Sequence, residues 1–474
     1  MLIPIGEPVR IIAITAVLTL ILIGTGLHYL WELISIGAAY KAKVLCSDVF
    51  VSKRSPNDVL SSDLAVDDLA VLRSIDATID RTTQTASATF LGLIRQTAVY
   101  RSGLGCALKF KDYDQGVFAQ VDTPINQLDT AESRWPVKQS KDSSAVQVDQ
   151  ALLDAALDWA FSEPDPEHLR RTRAVVVVHR GQIVGERYAP PFDRNTPLIG
   201  WSMTKSVVHA LVGVLIKEGK LSLTEQVLAP EWPEPNNRRS AITVDHLLRM
   251  TSGIEFDENY TNPLADVTYM LLHTPDMANY AASKKLGAEP GSRWSYSSGT
   301  TNILSRAIRR ALRDSDYPSF PHRALFQPLG MTSAVLELDA SGTFVGSSYM
   351  YASARDWAKF GLLYLQGGMW NGQRILPEGW LQHATTPTPN VPGNAFGAHF
   401  WLQIPNEYTT GGNASQLPQD AFHAVGHEGQ FVTIIPSREL VVVRLGLSRY
   451  ASAWQHDTFL SKVLEAIKGS PVAN

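Results

Sequence analysis

The first strong pattern along the chain is an uninterrupted apolar run close to the N-terminus. From Ile11 to Trp31 there is no Asp, Glu, Lys or Arg. A helix of this length, rising about 1.5 Å per residue, spans roughly 31 Å, which is close to the thickness of a bilayer's hydrocarbon core. Tyr29 and Trp31 end the run, where amphipathic rings favour the membrane interface. The pattern predicts one transmembrane helix within a membrane anchor over residues 1–36.

A cleaved signal peptide is the competing interpretation, because Gly37–Ala42 offers small residues for cleavage. The apolar run exceeds the roughly 7–15 residues of a signal-peptide core, and the possible cleavage site lies far from it. We therefore favour an uncleaved, single-pass anchor. Its orientation stays open, because Arg10 precedes the run whereas Lys41 and Lys43 follow it.

Residues 37–148 show only weak periodicity, and we expect an extension and linker that pack on the main domain. A strand-like run surrounds Ala86–Leu93, and Gln139–Ser144 has the composition of a linker. Cys46 and Cys106 both lie in this segment, at a separation that is not typical of metal ligands. A disulfide is one interpretation, in an oxidising compartment, and two buried free thiols are an equally good one.

From residue 149 to 474 the pattern predicts one domain of mixed helices and strands. Apolar residues from Gln150 onward follow the spacing of an amphipathic helix. Two hairpins and a closing helix follow the strand and helix periods: Ala174–Val178 with Ile183–Tyr188, Phe431–Ile435 with Leu440–Leu445, and Thr458–Ile467. Strands at both ends of a long helical middle predict an α+β fold, in which the two ends of the domain build one sheet.

Composition narrows the classes of function. Apolar residues make up 45% of the chain and charged residues 19%, which excludes wholesale disorder. The net charge is −4 and no long basic run is present, so we expect no nucleic-acid partner. His423 and His427 are four residues apart, but Gly426 between them argues against a helical metal site. We expect neither a metal nor another cofactor.

The strongest chemical signal is Ser202-Met-Thr-Lys205 at the start of an apolar, helix-like stretch. Residues three apart on a helix share a face, so the lysine amine can lie beside the serine hydroxyl. Serine needs a neighbouring base to become a nucleophile, and a Ser–Lys pair is one known solution. On its own this spacing is common, and a helix-capping serine with a surface lysine explains it better.

Further segments change that interpretation. In order along the chain they are Thr243–Phe256, Pro290–Ile308, Tyr349–Trp380 and Gly426–Phe431. Together with the Ser-x-x-Lys pair they resemble the serine β-lactamase and penicillin-binding-protein superfamily. The class C-like branch fits best, which includes D-amino-acid peptidases, 6-aminohexanoate-dimer hydrolases and family VIII-type esterases. The resemblance covers residues 147–468 and implies a β-lactamase/transpeptidase-like fold, an antiparallel sheet flanked by helices plus a mainly helical domain.

The resemblance also implies roles for single residues. Ser202 matches the acylated serine and Lys205 its base, while Tyr296 matches the tyrosine that passes a proton to the leaving group. The backbone N–H groups of Ser202 and Gln430 would form the oxyanion hole. Tyr260 is similar to an aromatic residue that lines the cleft of the oligomer hydrolases.

Two departures from the family pattern affect the expected substrate. Ser298 stands where the family has Asn, and His427 with Gly429 takes the place of a Lys-Thr-Gly motif. Both positions would contact substrate, and the missing lysine removes a positive charge that docks a carboxylate. We therefore expect a small ester, amide or short oligoamide substrate rather than a β-lactam.

The hypothesis from sequence is a membrane-anchored serine hydrolase whose catalytic domain lies on the periplasmic or extracytoplasmic side. The alternatives are a cell-wall D,D-peptidase or β-lactam-binding protein, and a catalytically silent binding module on the same fold. His246 lies on an apolar helix face and is expected to be structural. The oligomeric state stays open.

Overall fold

A computed structural model describes residues 7–65, 72–111, 113, 147–233, 237–410 and 417–467. The expected linker at Gln139–Ser144 lies outside these residues. Helix α1 runs without a break over Glu7–Phe50. Its described residues up to Trp31 are exposed, and by length and composition the helix is a candidate membrane span.

The second half of α1 is buried, in contrast to the first. Ala38, Ala39 and Ala42 are fully buried against a four-stranded antiparallel sheet, because small side chains let a helix and a sheet approach closely. The elements of this extension, after α1, are α2 (Pro56–Ser62), β1 (Asp76–Asp80), β2 (Thr85–Phe90), β3 (Ile94–Arg101) and β4 (Gly105–Leu108). A disulfide bond joins Cys46 of α1 to Cys106 of β4.

The strand expected over Ala86–Leu93 ends three residues early, so this expectation is corrected. Residues 91–93 form a turn, in which Leu91 and Gly92 both have positive φ angles of 49° and 71°. Two left-handed residues in succession reverse the chain tightly and start β3 at Ile94.

The main sheet has five antiparallel strands in the order β12-β13-β14-β5-β6. Their bounds are β5 (Thr172–His179), β6 (Gln182–Tyr188), β12 (Phe422–Gly426), β13 (Gln430–Ile435) and β14 (Leu440–Gly446). As predicted, β14 pairs with β5, so the two ends of the domain share one sheet. Strand β5 is buried on both faces, which explains its continuous run of valines.

Helices cover both faces of this sheet. Val175 and Val177 face α3 (Gln150–Phe161) and α12 (His456–Ala466), whereas Val176 and Val178 belong to the larger core on the other side. The elements between β6 and β12 are β7 (Leu198–Ile199), α4 (Met203–Lys217), α5 (Val244–Leu248), α6 (Asp266–His273), α7 (Met277–Ala282), α8 (Ser298–Ala311), α9 (Gln327–Leu329), β8 (Val335–Leu336), β9 (Met350–Ala352), α10 (Ala354–Leu365), β10 (Met369–Trp370), β11 (Gln373–Arg374) and α11 (Trp380–Thr385).

Buried polar contacts join the extension to the domain that follows. The carboxylate of Glu337, which is fully buried, accepts hydrogen bonds from Lys43 Nζ, Ser47 Oγ at 2.9 Å and the Cys106 N–H at 2.7 Å. A second cluster pairs Arg173 of β5 with Asp63, just after α2. The extension therefore supplies the charge partners of Glu337 and Arg173 among the residues that the structure describes.

Candidate active site

Ser202 lies at the N-terminus of α4, directly after a strained residue. Trp201 has a positive φ of 47°, which turns the chain sharply between β7 and α4. Ser202 caps no helix N–H with its side chain, so its Oγ is left to the cleft, where it accepts a hydrogen bond from Lys205 Nζ at 2.9 Å. The structure thus brings the serine and lysine together at the spacing that the sequence pattern requires.

Lys205 is buried and has three oxygen partners. Besides Ser202, its amine donates to Ser298 Oγ at 3.0 Å and to the Ser347 carbonyl at 3.0 Å. Burial lowers the pKa of Lys205 to about 8, although the negative charge of Glu258 acts in the opposite direction. None of the three direct partners is a carboxylate, so the neutral amine is accessible near physiological pH.

Glu258 belongs to the site but was not found by sequence reasoning. Its carboxylate accepts hydrogen bonds from the Ser298 N–H at 2.8 Å and from Ser298 Oγ. Desolvation raises the pKa of Glu258, and Lys205 partly offsets that rise. The loop offered no signal for this role, because Glu255, Asp257, Glu258 and Asn259 together have the composition of any solvated turn.

Tyr296 approaches the Ser–Lys pair from the loop before α8. Lys205 Nζ lies 4.9 Å from the centroid of its ring, and the Ser202 side chain lies near enough to the hydroxyl to act against the rise in its pKa. Desolvation raises the pKa of Tyr296 well above its usual value, so the phenol stays protonated. Trp401 and Phe396 pack on the ring at centroid distances of 5.6 and 5.9 Å and hold it in place.

Tyr260 and His427 form an aromatic pair beside Trp201, the residue before Ser202. Their rings stack at 4.6 Å with an interplanar angle of 15°, and Trp201 meets His427 edge-on at 5.7 Å. Tyr260 also lies close enough to Glu258 and Tyr296 for their charges to raise its pKa, after burial as the main cause. Both side chains therefore lie at the cleft, as the sequence suggested.

Gly429 and Gln430 are placed differently from the expectation. Gln430 starts β13, which is one strand in from the sheet edge, and its buried side chain is bonded to the Gly446 backbone. Gly429 is buried against Arg444, which donates to its carbonyl at 2.7 Å. At the end of the edge strand β12, a Cβ on Gly426 would lie 2.1 Å from the Gly200 carbonyl. The backbone that approaches the start of α4 is thus that of residues 426 and 427.

Glu428 connects the nucleophile to the N-terminal helix. Its carboxylate accepts from Trp201 Nε1 at 3.1 Å and pairs with Arg449, whose guanidinium lies 3.4 Å from the Tyr40 hydroxyl of α1. Sequence reasoning missed this chain of contacts, because its members are spread over more than 400 residues.

The other singled-out histidines have structural surroundings. His246 completes a capping box with Thr243 at the start of α5. His423 is buried and bonded to Thr433. Within the described ranges, no group of three or more His, Cys, Asp or Glu is arranged to hold a metal ion.

Known proteins resemble this chain over the domain that holds Ser202 and Lys205. A family model described as "Beta-lactamase" matches residues 150–457. A 6-aminohexanoate-dimer hydrolase from Paenarthrobacter ureafaciens is 23% identical over 295 residues, which is 58% of this chain and 72% of that protein.

Solved structures share the arrangement of sheet and helices. A Bacillus anthracis protein, assigned provisionally as a 6-aminohexanoate-dimer hydrolase, has a TM-score of 0.52 at 23% identity, over 70% of this chain and 86% of that one. EstCE1, a hydrolase with promiscuous acyltransferase activity, has a TM-score of 0.51 at 17% identity, over 68% and 97%. These likenesses confirm the fold that the sequence predicts.

Proposed function

The chain belongs to the beta-lactamase family, and from that premise we propose that it is a membrane-anchored serine hydrolase that cleaves an ester or amide through a Ser202 acyl-enzyme. The observation that carries this proposal is the contact between Lys205 Nζ and Ser202 Oγ at 2.9 Å, with a lysine pKa of about 8. A structural lysine would be charged and paired with a carboxylate, whereas this one is poised to accept a proton.

In the acylation step, Ser202 Oγ attacks the substrate carbonyl while its proton passes to Lys205 Nζ. The tetrahedral intermediate then collapses, the bond to the leaving group breaks, and Tyr296 donates its hydroxyl proton to that group. The Lys205 ammonium, whose Nζ lies 4.9 Å from the tyrosine ring, returns the proton to the phenolate. In deacylation the same pair takes a proton from water, whose oxygen attacks the ester carbonyl. The proton then passes to Ser202 Oγ as the bond between that oxygen and the acyl carbon breaks.

We assign the oxyanion hole to the backbone N–H of Ser202 and that of His427, in place of Gln430. The support is the close approach of Gly426 to the Gly200 carbonyl, which brings the end of β12 beside the nucleophile. One such donor typically contributes about 100- to 1,000-fold in rate. Any side chain at residue 426 would push this strand away from the serine.

The proposed substrate is a small ester, amide or short oligoamide. Two groups of aromatic rings near the Ser–Lys pair suit an apolar acyl or amine part: Trp294, Tyr296, Phe396 and Trp401 form one group, Tyr260 and His427 the other. Residue 427 is a histidine where the family motif has a lysine, so a substrate carboxylate would lack the fixed ammonium of that motif. This favours esters and oligoamides over β-lactams.

We further propose that α1 anchors the protein by a single pass, with the hydrolase domain on the extracytoplasmic side. The exposed apolar half of α1 supports the anchor. The Cys46–Cys106 disulfide supports an oxidising compartment, because cytosolic thiols are kept reduced.

A fluorophosphonate reaction with the detergent-solubilised full chain tests the proposed chemistry. We expect one covalent adduct, mapped to Ser202 and absent from S202A. S292A removes an exposed serine from the loop before Tyr296 and should be labelled like the unaltered protein. Loss of the adduct in K205M, with the fold retained by circular dichroism, would support the lysine as base. An unlabelled but folded full chain would refute the acyl-enzyme mechanism and favour a binding module.

A further inference from the structure

The tip of the β2–β3 hairpin carries two leucines that are largely uncovered in the described chain. Leu91 and Leu93 are each 73% exposed, more than any other large apolar residue outside α1 in the part that the structure describes. Turns of this kind, with φ of 49° and 71° at residues 91 and 92, favour Asn and Gly. A leucine in the left-handed region is therefore unfavourable for its backbone as well as for its exposure. Something other than folding accounts for its presence.

The hairpin tip lies at the membrane end of the extension. Helix α1 packs lengthwise on β2, β3 and β4. At the far end, Phe50 stacks on Tyr100 at 5.5 Å. Leu93 precedes Tyr100 by seven residues, which is about 23 Å along a strand. The same distance along a helix takes about 15 residues, so counting back from Phe50 places Leu93 level with residue 35 of α1.

A second set of contacts gives the same level. Lys41 Nζ donates to the carbonyls of Leu72 and Ile75, and Gly37 faces the side chains of the same two residues. Asp76 pairs with Thr89, and the tip begins two residues beyond Thr89, about 7 Å further along the strand. This again places the tip near residue 35, only about 6 Å of helix from Trp31, where the apolar run ends.

We propose that Leu91 and Leu93 insert into the lipid interface of the bilayer that α1 crosses. The headgroup layer is about 5–7 Å thick on each side, so leucines at this level lie within it. The inference rests on the proposed anchor. A lone helix leaves the domain free to rotate about the helix axis, whereas a second contact point fixes which face of the hydrolase domain is turned to the membrane.

Single cysteines in the full chain test this placement, because both native cysteines are held in the disulfide. L93C, L20C and T82C are labelled with an environment-sensitive fluorophore and reconstituted in phosphatidylcholine–phosphatidylglycerol vesicles. Thr82 is the matched control, since it is exposed in the turn at the opposite end of the same sheet. Leu20 reports on the anchor itself. Some of the lipid carries a nitroxide quencher near the headgroup.

We expect L20C to show a blue-shifted emission, L93C to show both a blue-shifted emission and loss of fluorescence with the headgroup nitroxide lipid, and T82C to show neither. If L20C responds and L93C behaves as T82C does, the hairpin proposal is overturned while the anchor stands. If L20C also fails to respond, the anchor is refuted and the hairpin contact with it. Shielding of L93C from aqueous iodide without quenching by the lipid would overturn the proposal in favour of a protein partner.

Discussion

Lys205 is the residue on which the proposed chemistry depends most, and its pKa results from two opposing effects. Burial favours the neutral amine, whereas the negative charge of Glu258, relayed across the Ser298 hydroxyl, favours the ammonium. A base must be neutral to accept the serine proton. Glu258 therefore reduces the fraction of Lys205 that is neutral, while its hydrogen bonds orient Ser298.

The pH profile of turnover follows from this balance. Because the neutral fraction of Lys205 grows as pH rises through about 8, kcat/KM should rise with pH and level off above that value. Well below it, each pH unit should cost about tenfold in rate. In E258Q the charge that raises the lysine pKa is gone, so the rising limb should move to lower pH.

The matched control is E255Q, which changes an exposed glutamate of the same loop. The rise of kcat/KM with pH should stay at the same pH in this variant. Gln keeps an oxygen that can accept from the Ser298 N–H, so E258Q preserves the loop contact. An unchanged limb in E258Q would show that Glu258 does not govern the base.

Sequence reasoning succeeded at this scale where residues lie close in the chain or match a motif. Ser202 and Lys205 are one helical turn apart, and Tyr296 stands in a recognisable segment. It failed to find Glu258, because nothing in a loop's composition shows which carboxylate turns inward. Our proposal moves the second oxyanion donor from Gln430 to His427, because the end of β12 depends on a hairpin register that the sequence pattern did not specify.

Helix α1 differs most from the expectation, because its first half is exposed and its second half is buried in the protein. The anchor was expected to end at residue 36, yet the helix continues to Phe50 inside the protein. Gly37–Ala42 suggested a cleavage site, whereas its small residues serve to pack on the sheet. The hairpins of the main sheet were predictable because valine-rich strands have a clear signal. The small sheet was not, because its short strands are rich in Ser, Thr and Ala.

The contact between α1 and Glu337 leads to a stability prediction. K43M removes the ammonium that pairs with a fully buried carboxylate, which should lower the free energy of unfolding by about 3–5 kcal/mol. Urea denaturation of the detergent-solubilised protein measures this loss. K109M, at an exposed lysine of the same extension, should change stability by less than about 0.5 kcal/mol. Equal stabilities of the two variants would contradict the contact's role.

For the whole molecule, we expect the extension and the domain that follows it to fold as one unit rather than as an anchor with a separate domain. The described part of the extension covers apolar core residues and neutralises Glu337 and Arg173. Neither group has an equivalent substitute within its own domain among the contacts described. The sequence suggested a division at residue 148, where the composition of the chain changes. We expect that the parts before and after this residue do not fold independently.

Truncation distinguishes these two views. A fragment of residues 33–474 should be monodisperse and should react with a fluorophosphonate at Ser202, because it keeps the buried half of α1. A fragment of residues 147–474 should aggregate, because it exposes the apolar surface under α1 and leaves Glu337 unpaired. Size-exclusion chromatography and labelling measure both results. A soluble, labelled 147–474 fragment would contradict the single folding unit.

The unbroken course of α1 also sets how the enzyme would meet its substrate. From Trp31 to Tyr40 the helix rises about 14 Å, and the contacts from Tyr40 through Arg449 and Glu428 lead directly to Trp201, beside Ser202. Because this path has no hinge, Ser202 would stay at a fixed distance from the membrane surface while the protein diffuses laterally. Turnover of a membrane-dissolved ester would then depend on its molecules per unit area, and diluting it with inert lipid would slow the reaction at constant bulk concentration.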